Sequence, residues 1–216
     1  MLDASAATST VTGGNTSTGI LNMYNLLGGE YSKGVQDIPQ RMVITGLWAE
    51  PFFKSGPLLQ RMVLGGWNFS EITTFQSGQT LSLSAPGNVV TAQGNTTNRP
   101  NVVYGVSDQV ANPTIQQWFN TAAFSLPAPF TFGNASRTIP NVMGPRLINM
   151  DIALYKDFVI KEKYTIDLRG EAFNLLNRPD FGNPNLTVGS PTFGTITSLL
   201  VNPLPRNIQL SLRVTF

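Results

Sequence analysis

Residues 206–216 read RNIQLSLRVTF, and from Asn207 onward polar and apolar side chains alternate to the end. Ile208, Leu210, Leu212, Val214 and Phe216 fall on one face of an extended chain, because successive strand side chains point to opposite sides. Asn207, Gln209, Ser211, Arg213 and Thr215 fall on the other. The stretch is as long as the roughly 9–11 residues with which a tilted strand crosses a bilayer. It ends on an aromatic carboxyl terminus.

Four upstream stretches share this pattern. Arg41 to Glu50 sets Met42, Ile44, Gly46 and Trp48 on one side, and Pro51, which cannot donate to a ladder, ends it. Leu64 to Phe75 sets Trp67, Phe69, Thr73 and Phe75 against Asn68, Ser70, Thr74 and Gln76. Glu71 interrupts its apolar side, and a carboxylate facing lipid at mid-depth is unfavourable. Arg146 to Lys156 sets Ile148, Met150, Ile152 and Leu154 against Asn149, Asp151 and Ala153. Lys163 to Asn174 sets Tyr164, Ile166, Leu168, Gly170 and Ala172 against Thr165, Asp167, Arg169 and Glu171.

The connections alternate in length. Pro51 to Val63 and Asp157 to Glu162 are short, whereas Gln76 to Gly144 and Leu175 to Pro205 are long and rich in Pro, Gly, Asn and Thr. Outer-membrane barrels have that asymmetry, with long loops outside the cell and short turns in the periplasm. The expected fold is therefore all-β: antiparallel strands of a partial transmembrane β-barrel, with about five long strands, long outer loops and short inner turns. Residues 1–40 read as a loop or disordered segment and 41–216 as the barrel part. Within the first long loop, Leu81 to Ser84 and Val102 to Tyr104 suggest local hairpins, and Ile115 to Phe124 suggests a helical turn or two.

Composition fits this picture. Only 12% of the 216 residues are charged, about half the ~25% usual in soluble domains. The net charge of +2 comes from 14 cations and 12 anions that form no basic cluster, so no nucleic-acid partner is expected. With no Cys and no His, disulfide frameworks, thiolate or imidazole metal sites and His-dependent triads are excluded within the chain. No cofactor is expected. The amino end, MLDASAATSTVTGG, has no apolar signal core. An exported barrel needs one, so the chain reads as the carboxyl-terminal piece of a longer protein. The glycine-rich stretch Gly13 to Gly19 has Ile20 where a phosphate loop needs Lys.

RMVITGLWAEPF (Arg41 to Phe52), GGWNFSEITTFQSGQTLSL (Gly65 to Leu83), MDIALYKDF (Met150 to Phe158), RGEAFNLLNRPDFGNPN (Arg169 to Asn185) and TFGTITS (Thr192 to Ser198) resemble, in that order, the carboxyl-terminal barrel of TonB-dependent receptors. The likeness is to the Oar-like branch with a carboxypeptidase-regulatory-like amino-terminal domain. It implies a barrel of about 22 strands around a plug, importing a scarce ligand with energy delivered by TonB. It also implies that Ile208, Leu210, Leu212, Val214 and Phe216 form the signal read by the barrel-assembly machinery. Glu71 departs from the family, which tends to carry a small residue there.

Several partners follow from these readings: outer-membrane lipid, the assembly machinery, the remainder of the barrel, and TonB acting through a plug. Five strands cannot close, since the smallest common barrels use about eight. Asp151, Asp167, Arg169, Glu171 and Arg213 share the polar side and are expected to form a lumen network. Pairing residues that sum to 320 across the last hairpin sets Asp151 opposite Arg169 and avoids like charges facing one another. A non-enzymatic part of an uptake receptor is the leading expectation. Two alternatives are a secreted all-β adhesion or carbohydrate-binding module, whose apolar faces pack on each other, and a glycosidase using Asp151 and Glu171. Trp118, Phe119 and Phe124 are candidates for ligand contact or for packing within the loop.

Overall fold

The computed structural model describes residues 21–22, 24–25, 29–86, 97–160, 164–200 and 205–216. Segment 3–19, with its glycine-rich stretch, lies outside them. The strands are β1 (Arg41–Ala49), β2 (Trp67–Gln76), β3 (Thr80–Leu81), β4 (Ala85–Pro86), β5 (Thr97–Asn98), β6 (Asn101–Val102), β7 (Phe124–Ser125), β8 (Ile139–Met143), β9 (Leu147–Ile160), β10 (Tyr164–Phe173) and β11 (Asn207–Thr215). One α-helix, α1 (Leu58–Leu64), lies between β1 and β2, and a single 3-10 turn, Thr121–Ala123, lies within the stretch expected to be helical.

Two compact units emerge. The first comprises residues 41–76, 147–179 and 203–216. It is one antiparallel sheet in the order β1-β2-β9-β10-β11, with β1 and β11 as its edges among the described residues. These are the five alternating stretches, and the alternation builds them because a period of two matches the pleat. The fold is a partial outer-membrane barrel wall whose sheet does not close.

The hairpin register differs from the expected one. Tyr164 pairs with Ile160, Asp167 with Asp157, Arg169 with Tyr155 and Glu171 with Ala153. Asp151 therefore does not face Arg169. β9 runs on through Ile160, where a connection had been expected from Asp157, so the hairpin closes nearer its tip and the pairs shift by an even number. An even shift keeps every side chain on its face. The like-charge contact avoided in the expected register appears at Asp157 and Asp167 instead, and Arg213 sits opposite Asp167 on its other flank.

The second unit comprises residues 1–40, 77–146 and 180–202. Its core gathers Leu81, Leu83, Phe119, Phe124, Ile139 and Val188 among others. The rings of Phe119, Phe124 and Phe193 meet edge to face, with centroids 5.2–6.4 Å apart, the arrangement their quadrupoles favour. Residues 29–40 are bound into this unit. The Arg99 guanidinium meets the Glu30 carboxylate at 2.5 Å, with both side chains almost wholly buried, and the hydroxyls of Thr80 and Thr138 donate to the carbonyls of Gly34 and Lys33.

Candidate functional site: the two faces of the sheet

Register carries the alternation across all five strands. Ile44, Thr73 and Met150 lie side by side, as do Phe69, Leu154, Gly170 and Leu210. One face of the sheet is therefore apolar from β1 to β11. It is also bare: Leu154 is 43% exposed, Leu212 67% and Leu210 82%. A contiguous exposed apolar surface of this breadth is an interaction surface. The adhesion-module alternative needs such faces stacked together, whereas among the described residues of this unit no second layer covers the face.

Two charged residues interrupt the apolar face. Glu71 lies opposite Gly46, and a Cβ built on Gly46 would stand 3.0 Å from the Glu71 Cγ, so the glycine makes room for the longer chain. Lys156 lies opposite Trp67 and Leu168. Its ammonium sits 4.9 Å from the Phe158 ring centroid and 5.5 Å from that of Trp67. It donates to the carbonyls of Arg61 and Gly65 at the carboxyl end of α1.

The other face carries the five candidate network residues, but they do not form one cluster. Arg169 and Glu171 form an ion pair at 2.6 Å, and the Arg169 guanidinium lies 5.9 Å from the Tyr155 ring centroid. Asp167 lies opposite Arg213. Asp151 is used differently: one carboxylate oxygen accepts from the Asn174 amide at 2.8 Å and the other from the Asn149 side chain at 3.1 Å. Val43, Leu47, Ile72 and Val159 also lie on this face, so it is wet around β10 and β11 and more mixed elsewhere.

β11 is an edge strand, and the side chains of Ile208, Leu210, Leu212 and Val214 project from the apolar face. Phe216, just beyond the ladder, is 91% exposed. Unpaired backbone along β1 and β11 cannot be left in lipid.

No helix among the described residues is long and apolar enough to cross a membrane, which does not bear on crossing by strands. A model of the outer membrane beta barrel domain family matches residues 2–209. The chain belongs to this family. No curated protein and no solved structure matches it. The location is the outer membrane, where barrels of this kind turn an apolar face to hydrocarbon and a more polar one to the lumen.

The sequence EAFNLLN followed by FGNPN has a structural explanation within this wall and the second unit. Asn174 and Asn177 both adopt left-handed backbone (φ 48°), which asparagine tolerates better than most residues. The Asn174 side chain bonds both backbone groups of Arg178, so these asparagines shape the turn that ends β10. In the second unit Asn185 holds Ser190 and Thr192 through its side-chain amide. Of the three aromatic residues weighed for ligand contact, Phe119 and Phe124 are core and Trp118 donates its indole N–H to the Met143 carbonyl. The same unit carries a cleft of about 400 Å³ with Leu83, Phe124 and Ile139 in its lining and Ser107, Asp108 and Gln109 among its polar groups.

Proposed function

We propose that this outer membrane beta barrel domain is part of a TonB-dependent receptor of the Oar-like kind, taking up a ligand across the outer membrane. The carrying observation is the second unit. Connections that a passive pore leaves as separate loops share one aromatic core here, with a buried ion pair and a cleft. A receptor needs a formed surface to capture a scarce ligand; a diffusion pore does not. The five matching stretches supply the specific branch.

In this reading the apolar wall contacts lipid and β11 is the strand delivered to the barrel-assembly machinery. Further strands of the protein pair with β1 and β11. TonB acts through a plug domain, and the polar groups Arg169, Glu171, Asp167 and Arg213 line the wetted side of the wall. Catalysis has no part in it: Asp151 holds the turn after β10, and Glu171 is balanced by Arg169 rather than by a partner carboxylate.

Uptake of a panel of radiolabelled nutrients by cells lacking the gene, and by cells lacking TonB, tests the proposal. The account expects one nutrient whose uptake fails in both strains. Uptake that needs this gene and survives loss of TonB identifies a passive channel and overturns it.

A further inference from the structure

The connection between β1 and β2 lies at the end of the wall where the hairpin of β9 and β10 closes, the side of the short turns. It is a built structure rather than a slack turn. The Glu50 carboxylate accepts from the amides of Phe52, Phe53 and Gly66, closing both ends of the connection onto one side chain. Gly65 packs so tightly that a Cβ there would come within 2.6 Å of the Phe53 carbonyl oxygen. Within this frame α1 has the sequence LLQRMVL, and none of its residues is buried.

A seven-residue helix is too short to persist in water by itself. At 3.6 residues per turn, Leu58, Leu59, Met62 and Val63 share one side, with Gln60, Arg61 and Leu64 opposite. Leu58 is 67% exposed and Leu59 75%, and Phe52 beside them is 76% exposed. Water is a poor surrounding for such a helix.

Its position limits what can cover it. Lys156 and Trp67 both project from the hydrocarbon-facing side of the wall, and both reach α1: Lys156 to the carbonyls of Arg61 and Gly65, Trp67 through its indole N–H to the Val63 carbonyl at 2.9 Å. The carboxyl end of α1 therefore sits against the outside of the wall. β2 and β9 are interior strands, so strands added at the β1 or β11 edge do not reach this place, and the plug of the proposed receptor would lie on the opposite, lumen face. The apolar surface of the helix continues the apolar band of the wall. The partial negative charge of the carbonyls at its end offsets a lysine that would otherwise face lipid unpaired.

We propose that α1 is an interfacial foot, seated in the phospholipid leaflet on the periplasmic side. Leu58, Leu59, Met62 and Val63 enter the acyl boundary, Phe52 and Trp67 lie at headgroup depth, and Arg61 faces the lipid phosphates beside a cleft that it forms with Met62 and Phe158. The foot fixes the height of the barrel in the bilayer at this strand pair. This rests on the family's barrel reading of the wall.

The chain has no native cysteine, so single Leu59→Cys, Gln60→Cys and Leu154→Cys variants of the full chain can each carry an environment-sensitive fluorophore. The labelled proteins are reconstituted in vesicles of phosphatidylethanolamine and phosphatidylglycerol. Quenching is read with lipids spin-labelled near the headgroup or near the chain end, and with aqueous iodide. The expected result at Leu59 is quenching about twofold stronger by the shallow lipid than by the deep one, with little effect of iodide. Gln60 is open to iodide, and Leu154 is quenched by the deep lipid. Iodide quenching at Leu59 with lipid quenching intact at Leu154 overturns the foot and leaves the wall standing. Shielding of Leu59 from both quenchers shows a protein occupant and also overturns it. Absence of lipid quenching at Leu154 overturns the wall itself, and the foot with it.

Discussion

Arg99 and Glu30 stand 69 positions apart in the chain and 2.5 Å apart at their charged ends, with side chains only 1% and 3% exposed. Removing the Glu30 carboxylate takes its ion partner from a buried guanidinium, a loss of about 3–5 kcal/mol. Glu30→Ala should therefore loosen the second unit, seen as protease cleavage between residues 97 and 146, while the strands of the wall keep their hydrogen-exchange protection. Nothing local in the sequence announces this pair, because neither residue has a neighbour that reveals the other. Glu71 is the opposite case. Its misfit on the apolar side is legible from spacing alone, but the space that accommodates it, over Gly46, comes only from register. Exchanging the carboxylate for a side chain of similar size removes a polar group from the lipid face. Glu71→Leu should raise the stability of the lipid-inserted barrel by about 1 kcal/mol, measured as a higher urea midpoint in vesicles.

The long strands are legible because their signal is repetition: one face of each reads apolar at most alternate residues, and each of the five begins and ends within a few residues of its expected bounds. Register was not legible in the same way. It is set where the hairpin turns, and any even slip preserves the pattern that sequence reading relies on. A cysteine pair decides between the two registers. Asp157→Cys with Asp167→Cys should cross-link under mild oxidation, whereas Ala153→Cys with Asp167→Cys, a pair that sums to 320, should not; the reverse outcome would contradict the observed ladder. α1 also escaped sequence reading, although signals were present: Pro57 before it, Gly65 after it, and apolar residues at 58, 59, 62 and 63. Its brevity hides it, since seven residues make barely two turns and the β2 pattern reaches back to Leu64 in the sequence.

The division of labour in the whole molecule was only half visible. A wall with one greasy face follows from composition and alternation, and the family match agrees with it. The second unit does not follow, because it is assembled from three separate stretches of chain whose strands are mostly only two residues long, too short to show any period. A sheet with a broad exposed apolar side and few charges is stable where hydrocarbon replaces water on that side. The protein that carries this chain should therefore fractionate with the outer membrane and migrate faster on gels before boiling than after. The most direct test of this central claim is the reactivity of single cysteines placed along β11 towards a bulky, water-soluble maleimide in intact outer membranes. Positions 209, 211 and 213 should react and positions 208, 210 and 212 should stay protected until the barrel is unfolded. Equal reactivity at all six, or protection at the odd positions only, would contradict the assignment of the two faces.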